Sequence, residues 1–420
     1  MRIAVIGGGG REHAIVKKIK ENSDVAELYA LPGNGGIADD AVCVPIATTD
    51  IDGIVRFARE KSLDYVIVAP DDPLVLGAVN ALEAAGIPCF GPSKAAARIE
   101  GSKVFSKAFM RKYCIPTAAY QSFSDMDAAL EYVRAAKKPL WVKADGLALG
   151  KGAVYCETSE DAEATITAMM QDGAFGESGH NVVVEEHMEG PEVSLLALTD
   201  GETIVPFPPA MDHKRALDND QGLNTGGMGA IAPSPLYTPE IAERCMREIL
   251  LPTIRGMKSE GAPFKGCLFT GLMLTPDGPK VIEYNCRFGD PETQVVLALL
   301  KTDLLTAMRA VTDGRLNQTA VEFTDGAAAC VIAASGGYPQ HYEKGCEITF
   351  GDTSSATLHH AGTKREGEKL VTSGGRVIGA TATGNDLRAA LEKAYRAVEQ
   401  IHFDGVTYRR DIGARILKGE

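Results

Sequence analysis

Residues 281–294 read Val281-Ile-Glu-Tyr-Asn-Cys-Arg-Phe-Gly-Asp-Pro-Glu-Thr-Gln294. The apolar pair Val281 and Ile282 predicts a strand that delivers Glu283 and Asn285 two residues apart, hence on one face of the pleat. A carboxylate and an amide oxygen so placed are hard oxygen ligands of the kind Mg²⁺ takes. Arg287 follows on the same parity and sets a fixed cation beside the metal position. A metal and a guanidinium together suit a substrate rich in phosphate oxygens. Alternation points Cys286 the other way, into packing. Taken alone, the pattern also fits a solvated edge strand. The Gly289-Asp-Pro-Glu-Thr293 turn behind it and the loops described below count against that reading.

Composition bounds the rest. A chain of 420 residues exceeds what one hydrophobic core serves, so about two to four domains are expected. With 45% hydrophobic and 24% charged residues it is ordinary globular material. A net charge of −13 argues against nucleic-acid partners, which need a basic footprint, but leaves local Lys and Arg clusters free to serve a small anion. No apolar run is long enough to span a bilayer. The amino terminus has neither a signal-peptide core nor a cleavage site. The nine cysteines are scattered and never form C-x-x-C, which suits reduced thiols and a cytoplasmic location.

The first hundred residues alternate strand and helix signals: strands at Ile3–Ile6, Tyr65–Ala69 and Ile87–Gly91, and a helix around Leu74–Ala85. That alternation predicts a parallel sheet. Ser93–Cys114 reads as one basic helix ended by Ile115-Pro116, and another helix is expected near 159–171. Further helices should run from about Pro291 to Leu300 and on to about Thr312. The tail from Asp325 reads as separate, with strands at Ala327–Ala334 and Arg376–Thr383. Leu387, Ala390, Leu391, Ala394, Val398 and Ile401 then recur at helical spacing.

Three glycine loops invite an anion. Gly7–Gly10 follows a strand and opens a helix, but a dinucleotide fingerprint fails there. Its third glycine falls on Glu12 or His13, and Tyr29-Ala-Leu-Pro-Gly33 offers no acidic residue. Free backbone N–H groups could still hold an anion with Arg11 in support, or the loop could be a plain tight turn. Lys143-Ala-Asp-Gly-Leu-Ala-Leu-Gly-Lys-Gly152 lacks the Walker A pattern, yet Gly146, Gly150 and Gly152 could cover a polyphosphate beside Lys143 and Lys151; a surface hairpin is the plainer alternative. Asp212-His-Lys-Arg215 with Asn224-Thr-Gly-Gly-Met-Gly229 suits a phosphate or a carboxylate, while His213 by itself reads as structural. Val182–Glu186 turns into His187-Met188 and Gly190-Pro-Glu192, a place where backbone meets a base edge and a carboxylate meets ribose hydroxyls.

Taken together these residues resemble the ATP-grasp superfamily and, within it, the phosphoribosylamine–glycine ligases. The likeness runs nearly end to end, through Gly-Gly-Arg-Glu-His-Ala at 9–14, Pro-Gly-Asn at 32–34, Phe-Gly-Pro at 90–92 and Glu-Gly-Ser-Lys at 100–103. Lys-Ala-Asp-Gly-Leu at 143–147, Asp-His-Lys-Arg at 212–215, Asn-Thr-Gly-Gly-Met-Gly at 224–229 and Arg-Phe-Gly-Asp-Pro-Glu-Thr-Gln at 287–294 carry it further. His-Ala-Gly-Thr at 360–363 and Gly-Gly-Arg-Val at 374–377 extend it into the tail.

The resemblance implies an α/β protein. A parallel-sheet amino-terminal domain (1–102) precedes a two-lobed ATP-grasp body (103–325, with a lid near 117–188) and a small mixed carboxy-terminal domain (326–420). It implies that ATP phosphorylates glycine to an acyl phosphate, which the amine of 5-phosphoribosylamine attacks, giving glycinamide ribonucleotide, ADP and phosphate in purine biosynthesis. Lys103 and Lys143 would contact ATP phosphates under a cover of Gly146, Gly150, Lys151 and Gly152. Glu185, Glu186, His187 and Met188 would present backbone to adenine, and Glu192 would hold the ribose. Glu283 and Asn285 would bind Mg²⁺, or Mn²⁺ in its place. Arg287, Asp290 and Lys214 count as catalytic, Arg287 steadying the phosphoryl and Asp290 orienting an amino group of glycine or of the phosphoribosylamine. Gly9, Gly10, Arg11 and Asn34 would receive the ribose phosphate side, with Asp71, Asp212, Asn224, Thr225, Gly226 and Gly227 as further substrate contacts. A monomer with small-molecule partners only, and neither nucleic acid nor membrane, is expected.

The chain departs from the family pattern at Asp71, His187 and Leu223, where a glutamate, an apolar or aromatic residue and a proline are usual. Three rivals remain: an ATP-grasp carboxylase of another purine intermediate, a nicotinamide-dependent oxidoreductase, and a silent nucleotide-binding regulator.

Overall fold

The computed structural model describes residues 1–136, 138–147 and 152–419. Strands β1 (Arg2–Gly7), β2 (Glu27–Pro32), β3 (Val42–Cys43), β4 (Tyr65–Val68) and β5 (Cys89–Phe90) form a parallel sheet in the order β3-β2-β1-β4-β5. Both faces are covered. Ala4, Ile6, Val66 and Val68 enter one core, and Ile3, Val5, Tyr65 and Ile67 enter another. Continuous apolar strands are what a doubly covered parallel sheet requires. Helix α1 (Gly10–Lys20) leaves β1 through the glycine loop.

Two expected helices are broken. The one around Leu74 is split into Asp71–Leu76 and Ala78–Ala84 by Gly77, at φ +99°. The basic helix is split into Lys94–Gly101 and Lys103–Lys112 by Ser102, which is extended and whose Oγ accepts the Phe105 N–H. Asp145, far along the chain, sets this break. Its Oδ1 accepts from Ser102 Oγ at 2.9 Å and from Val104 N–H at 3.1 Å.

The middle of the chain builds two antiparallel sheets. One holds β6 (Tyr120–Phe123), β7 (Leu140–Ala144), β8 (Ala153–Cys156) and β9 (Val182–Glu186) in the order β6-β9-β7-β8, with its own small core. The other runs β11-β10-β16-β17, from Ile204–Pro206, Glu192–Thr199, Gly266–Thr275 and Gly278–Asn285. The carboxy-terminal sheet is not confined to the tail. Strands Ala327–Ser335, Arg376–Gly384 and Thr357–His360 are extended by β12 (Met211–Asp212) and β15 (Gly229–Ala232), so the stretch around Asp212 and Gly227 is held by two domains at once. The amphipathic tail helix spans Leu387–Val398 and closes that core.

Candidate active site

Strand β17 carries the acidic and basic residues that the sequence set on one face. A bulge between β16 and β17 near Ile282 resets the alternation, so Val281, Tyr284 and Cys286 are buried while Glu283, Asn285 and Arg287 face a half-open cleft. Burial pushes the Glu283 carboxyl up, but the charges of Lys214, Lys143, Lys103 and Arg287 together hold it below the usual range. It stays an anion ringed by cations. A second feature fits a metal: neither Glu283 nor Asn285 donates or accepts a side-chain hydrogen bond among the described residues, so their oxygens are free for a hard cation. Two protein oxygens are too few for a closed site; Mg²⁺ typically completes its shell with water and substrate phosphate.

The side expected to take the nucleotide is built from the β6-β9-β7-β8 sheet and the helix after the Ser102 break. Glu185 Oε2 sits 3.0 Å from Lys143 Nζ and 2.9 Å from Lys107 Nζ, with all three side chains at most 6% exposed. Lys107 also donates to Thr117 Oγ1 at 2.7 Å. Burial lowers its ammonium to about 8, with Glu185 opposing the fall. Lys103 is lowered as well, by burial, with Glu283 opposing. Its Nζ donates to the Gly146 carbonyl at 2.9 Å. Gly146 has φ +113°, and a Cβ there would lie 2.6 Å from Ser178 Oγ, so this turn requires glycine. Gly152 accepts the Ala144 N–H at 2.8 Å, closing the other end of the loop. Gly150 and Lys151 lie outside the described residues.

The hinge differs from expectation in one respect. Glu185 has register partners on both sides, Tyr120 and Trp141, and the Glu186 N–H donates to Ala119, so main chain clear of the ladder begins only after Glu186, at His187 and Met188. Glu185 faces the site with its side chain. Glu186 Oε1 accepts the Ala119 N–H at 3.0 Å. His187 does an aromatic residue's work: its Nδ1 accepts the Trp141 indole N–H at 3.1 Å, and its ring lies 5.0 Å from that of Tyr155. Glu192 Oε2 receives Lys214 Nζ at 2.5 Å. Burial acts to lower that ammonium, but Glu192, Glu283 and Asp212 raise it above its ordinary value.

A second half of the site lies one turn beyond Arg287. Asp290 Oδ2 accepts the Arg11 N–H at 3.2 Å and Oδ1 accepts from Gln294 Nε2 at 2.9 Å. Burial pushes its carboxyl up, yet Arg376 and Arg11 bring it below the usual range. Gly9 and Gly10 pass close by: Cβ atoms there would stand 3.4 and 3.6 Å from the Asp290 oxygens. Asp212 behaves oppositely. Burial and the neighbouring Glu292 drive its carboxyl well above the ordinary value, and its Oδ1 is buried without a hydrogen-bond partner. Gly227, at φ +111°, would place a Cβ 2.5 Å from that same Oδ1. Thr225 Oγ1 donates to the Lys214 carbonyl at 2.8 Å, while Asn224 and Leu223 are exposed on the hairpin edge. Asp71, at a helix start, is close enough that its charge raises both Glu100 and Arg287.

Three expectations change on contact with the geometry. Asn34 has no free side-chain capacity: Nδ2 donates to the Gly8 and His360 carbonyls, at 2.9 and 2.7 Å, and Oδ1 accepts the Gly36 and Ile37 N–H groups, both at 2.9 Å. It shapes the loop rather than reaching out of it. The Gly7–Gly10 loop is not an open anion nest, because Glu12 Oε2 already takes the Gly9 N–H at 2.6 Å. Arg11 is engaged too, with Glu12 Oε1 at 2.6 Å and the Phe288 carbonyl at 3.0 Å. His213 is structural, as its type suggested: Nε2 accepts the Gly413 N–H at 3.0 Å.

Sequence reasoning missed Glu100, Lys107 and Arg376. Glu100 Oε2 accepts the Cys286 N–H at 2.7 Å and Oε1 lies 3.2 Å from Arg287 Nη2, which orients the guanidinium and leaves its buried Nε without a partner. Glu100 and Arg376 both stand inside quoted motifs, Glu-Gly-Ser-Lys and Gly-Gly-Arg-Val, and that was the available signal. Lys107 had none beyond its basic helix.

With the geometry in hand, comparison with known proteins is specific. Family models described as the phosphoribosylglycinamide synthetase N domain, ATP-grasp (A) domain and C domain match residues 1–100, 101–293 and 328–415. A phosphoribosylamine–glycine ligase of Vibrio vulnificus (strain YJ016) is 47% identical over 427 residues, covering 100% of this chain and 99% of its own length. That of Clostridium acetobutylicum is 46% identical over 413 residues, covering 98% and 99%. The crystal structure of phosphoribosylamine–glycine ligase from Thermotoga maritima matches with a TM-score of 0.87 at 33% identity, covering 98% of this chain and 100% of that one. The biotin carboxylase domain of Hydrogenobacter thermophilus 2-oxoglutarate carboxylase, solved with MgADP, ADP and bicarbonate, has a TM-score of 0.75 at 17% identity over 97% of this chain and 91% of that one, a likeness of fold.

Proposed function

The chain belongs to the phosphoribosylglycinamide synthetase family of ATP-grasp ligases, and from that membership we propose how its residues divide the work of joining glycine to 5-phosphoribosylamine. The enzyme makes glycinamide ribonucleotide, ADP and phosphate by way of glycyl phosphate, a step of purine biosynthesis. A carboxylate is a poor electrophile because it would have to expel oxide. Transfer of the γ-phosphoryl to glycine supplies a leaving group, and the amine then attacks the carbonyl as phosphate departs.

The observation that carries the assignment is the ring of Lys103, Lys143, Lys214 and Arg287 around Glu283. Phosphoryl transfer asks for fixed cations and positioned oxygens more than for a protein nucleophile. Lys103 and Lys143 bind the polyphosphate under the Gly146–Gly152 cover, His187 and Met188 meet the base edge, and Glu192 takes the ribose. Glu283 and Asn285 would hold Mg²⁺, which would screen the charge on the transferring group. Arg287, fixed by Glu100, steadies the phosphoryl oxygens, and Lys214 lies between Glu192 and Glu283 to follow them.

On the amine side Asp290, kept ionised, orients an amino group. Asp212, whose carboxyl is pushed up by burial and by Glu292, is when ionised the stronger base of the two and accepts the proton lost when the amine nitrogen is acylated. Two neighbouring carboxylates shifted apart are suited to separate roles. Gly9, Gly10, Asp71, Thr225, Gly226 and Gly227 line the same side. A monomer suffices, since one chain supplies both halves. Nine free thiols support a reducing, cytoplasmic setting, and among the described residues no helix is long and apolar enough to cross a membrane.

Phosphate release from Mg·ATP with glycine, with and without freshly made phosphoribosylamine, tests the reading. Release that needs both and matches glycinamide ribonucleotide formation supports it. Release with neither, or with another acid, would reject this substrate pair.

A further inference from the structure

Arg376 begins a strand of the carboxy-terminal sheet, 86 residues beyond Asp290, and its guanidinium crosses into the amine half of the site. Nη1 donates to the Gly226 and Asp290 carbonyls at 2.7 Å each, and the Gly227 carbonyl lies at 3.3 Å. Nη1 also stands 3.5 Å from Asp290 Oδ1. Two protons thus serve three carbonyls, the longest contact being a shared one.

Those carbonyls belong to two loops, 224–229 and 289–291, that no main-chain hydrogen bond joins among the described residues. The loops come close at Gly227, where a Cβ would meet Pro291 Cδ at 2.5 Å. One loop sets Gly227 against Asp212; the other carries Asp290. A second residue of the same domain helps: Tyr338 OH accepts the Gly226 N–H at 3.1 Å. Charge-assisted hydrogen bonds are about twice as strong as neutral ones, and a planar fork fixes angle as well as distance.

We propose that Arg376 is a positioning residue for the amine half-reaction: by bolting these two loops together it sets the separation of Asp212 and Asp290. The inference rests on the function proposed above. The carboxy-terminal domain is then part of the catalytic geometry, acting through main-chain carbonyls, while Lys103, Lys107, Lys143 and Glu185 have no hydrogen bond or ion pair to it among the described residues.

Arg376→Lys keeps the charge and loses the fork, and Arg376→Gln loses both. Steady-state constants should show kcat/KM for glycine and for phosphoribosylamine falling on the order of 10²-fold, as misplacement of reacting groups by about 1 Å does, while KM for ATP stays within about twofold. Val398→Ala, in the core of the same domain, is the control for mere loosening: it lowers the melting temperature and leaves all three constants in place. Equal losses for ATP and the amine-side substrates, or a Val398→Ala profile matching Arg376→Lys, would overturn the role. Wild type is run in the same assay. No turnover of the substrate pair by wild type would sink the functional reading itself, whereas unchanged Arg376→Lys constants beside an active wild type would sink only Arg376.

Discussion

Glu185→Gln is the sharpest perturbation of the nucleotide side. The carboxylate is the one anion between two buried ammonium groups at 2.9 and 3.0 Å. At an effective dielectric constant of about 20, each contact contributes roughly 5 kcal/mol of attraction, most of it offset by desolvation. Lys107 shows how incomplete the offset is. Burial lowers its ammonium to about 8 against about 10.4 for an ordinary lysine, a residual penalty of about 3 kcal/mol. Removing the anion should cost a further 3–5 kcal/mol, roughly, since both cations then stand unpaired.

Linkage gives a second readout. Because the folded-state ammonium is depressed, the unfolded chain binds more protons between about pH 8 and 10.4, and wild-type stability should rise with pH across that window. In Glu185→Gln the rise should begin below pH 8. Trp141 is the only tryptophan and the register partner of Glu185, so its fluorescence in a urea titration reports on this lobe. Lys107→Met added to Glu185→Gln should recover part of the loss, because it removes a stranded charge. A wild-type urea midpoint with an unchanged pH slope would refute the reasoning.

Glu283→Ala should leave the melting temperature within a few degrees and lower kcat by on the order of 10²-fold or more, beyond what loss of an outer-shell partner does; normal turnover at saturating Mg²⁺ would remove the metal assignment. Arg287→Lys should be comparably severe, since an ammonium cannot keep Glu100 Oε1 at 3.2 Å and still present a planar face to the cleft; a wild-type kcat would make Arg287 structural. Asn34→Asp preserves both acceptors and turns both donors into acceptors against the Gly8 and His360 carbonyls, costing about 2–4 kcal/mol. A melt at the wild-type temperature with a raised KM would return Asn34 to the substrate. Asp290, depressed in the folded state, should stabilise the protein above its unfolded value near pH 4 and lose that contribution as pH falls further, so Asp290→Asn should flatten the acid limb of stability against pH; an unaltered limb would contradict its ionised state.

Local spacing made one part of this site legible. Glu283, Asn285 and Arg287 share a face because a strand has period two, and Cys286 is buried for the same reason. The glycines of the first loop were legible as a tight approach, but not what fills the loop, because Glu12 reaches back only once α1 exists. Residues set by distant partners were illegible. Ser102 breaks a helix that its own neighbours would continue, and the cause, Asp145, lies 43 residues away. Asn34 looks like a ligand-binding side chain until the His360 carbonyl, from the far end of the chain, takes its remaining donor. Lys107 is set apart from the other basic positions of its helix by distant partners, Glu185 and Thr117, which its own spacing does not reveal.

That distinction explains why residues 286–290 are so informative. Glu100 holds the Cys286 N–H and Arg287 from the last helix before the ATP-grasp body. Arg11 holds the Phe288 carbonyl and the Asp290 carboxylate from the first helix of the chain. Arg376 holds the Asp290 carbonyl from the tail sheet. Within these five residues the company also changes. Arg287 stands with Lys103, Lys143 and Lys214 around Glu283, whereas Asp290, Asp212 and Glu292 gather about the guanidinium of Arg376. Under the function proposed above, the first side suits a phosphoryl group and the second an amino group. Under the proposed function an acyl phosphate meeting an amine uses both sides, which would put the reacting carbonyl between Arg287 and Asp290. A segment gripped from three domains is fixed in place, and that rigidity keeps the two sides in register.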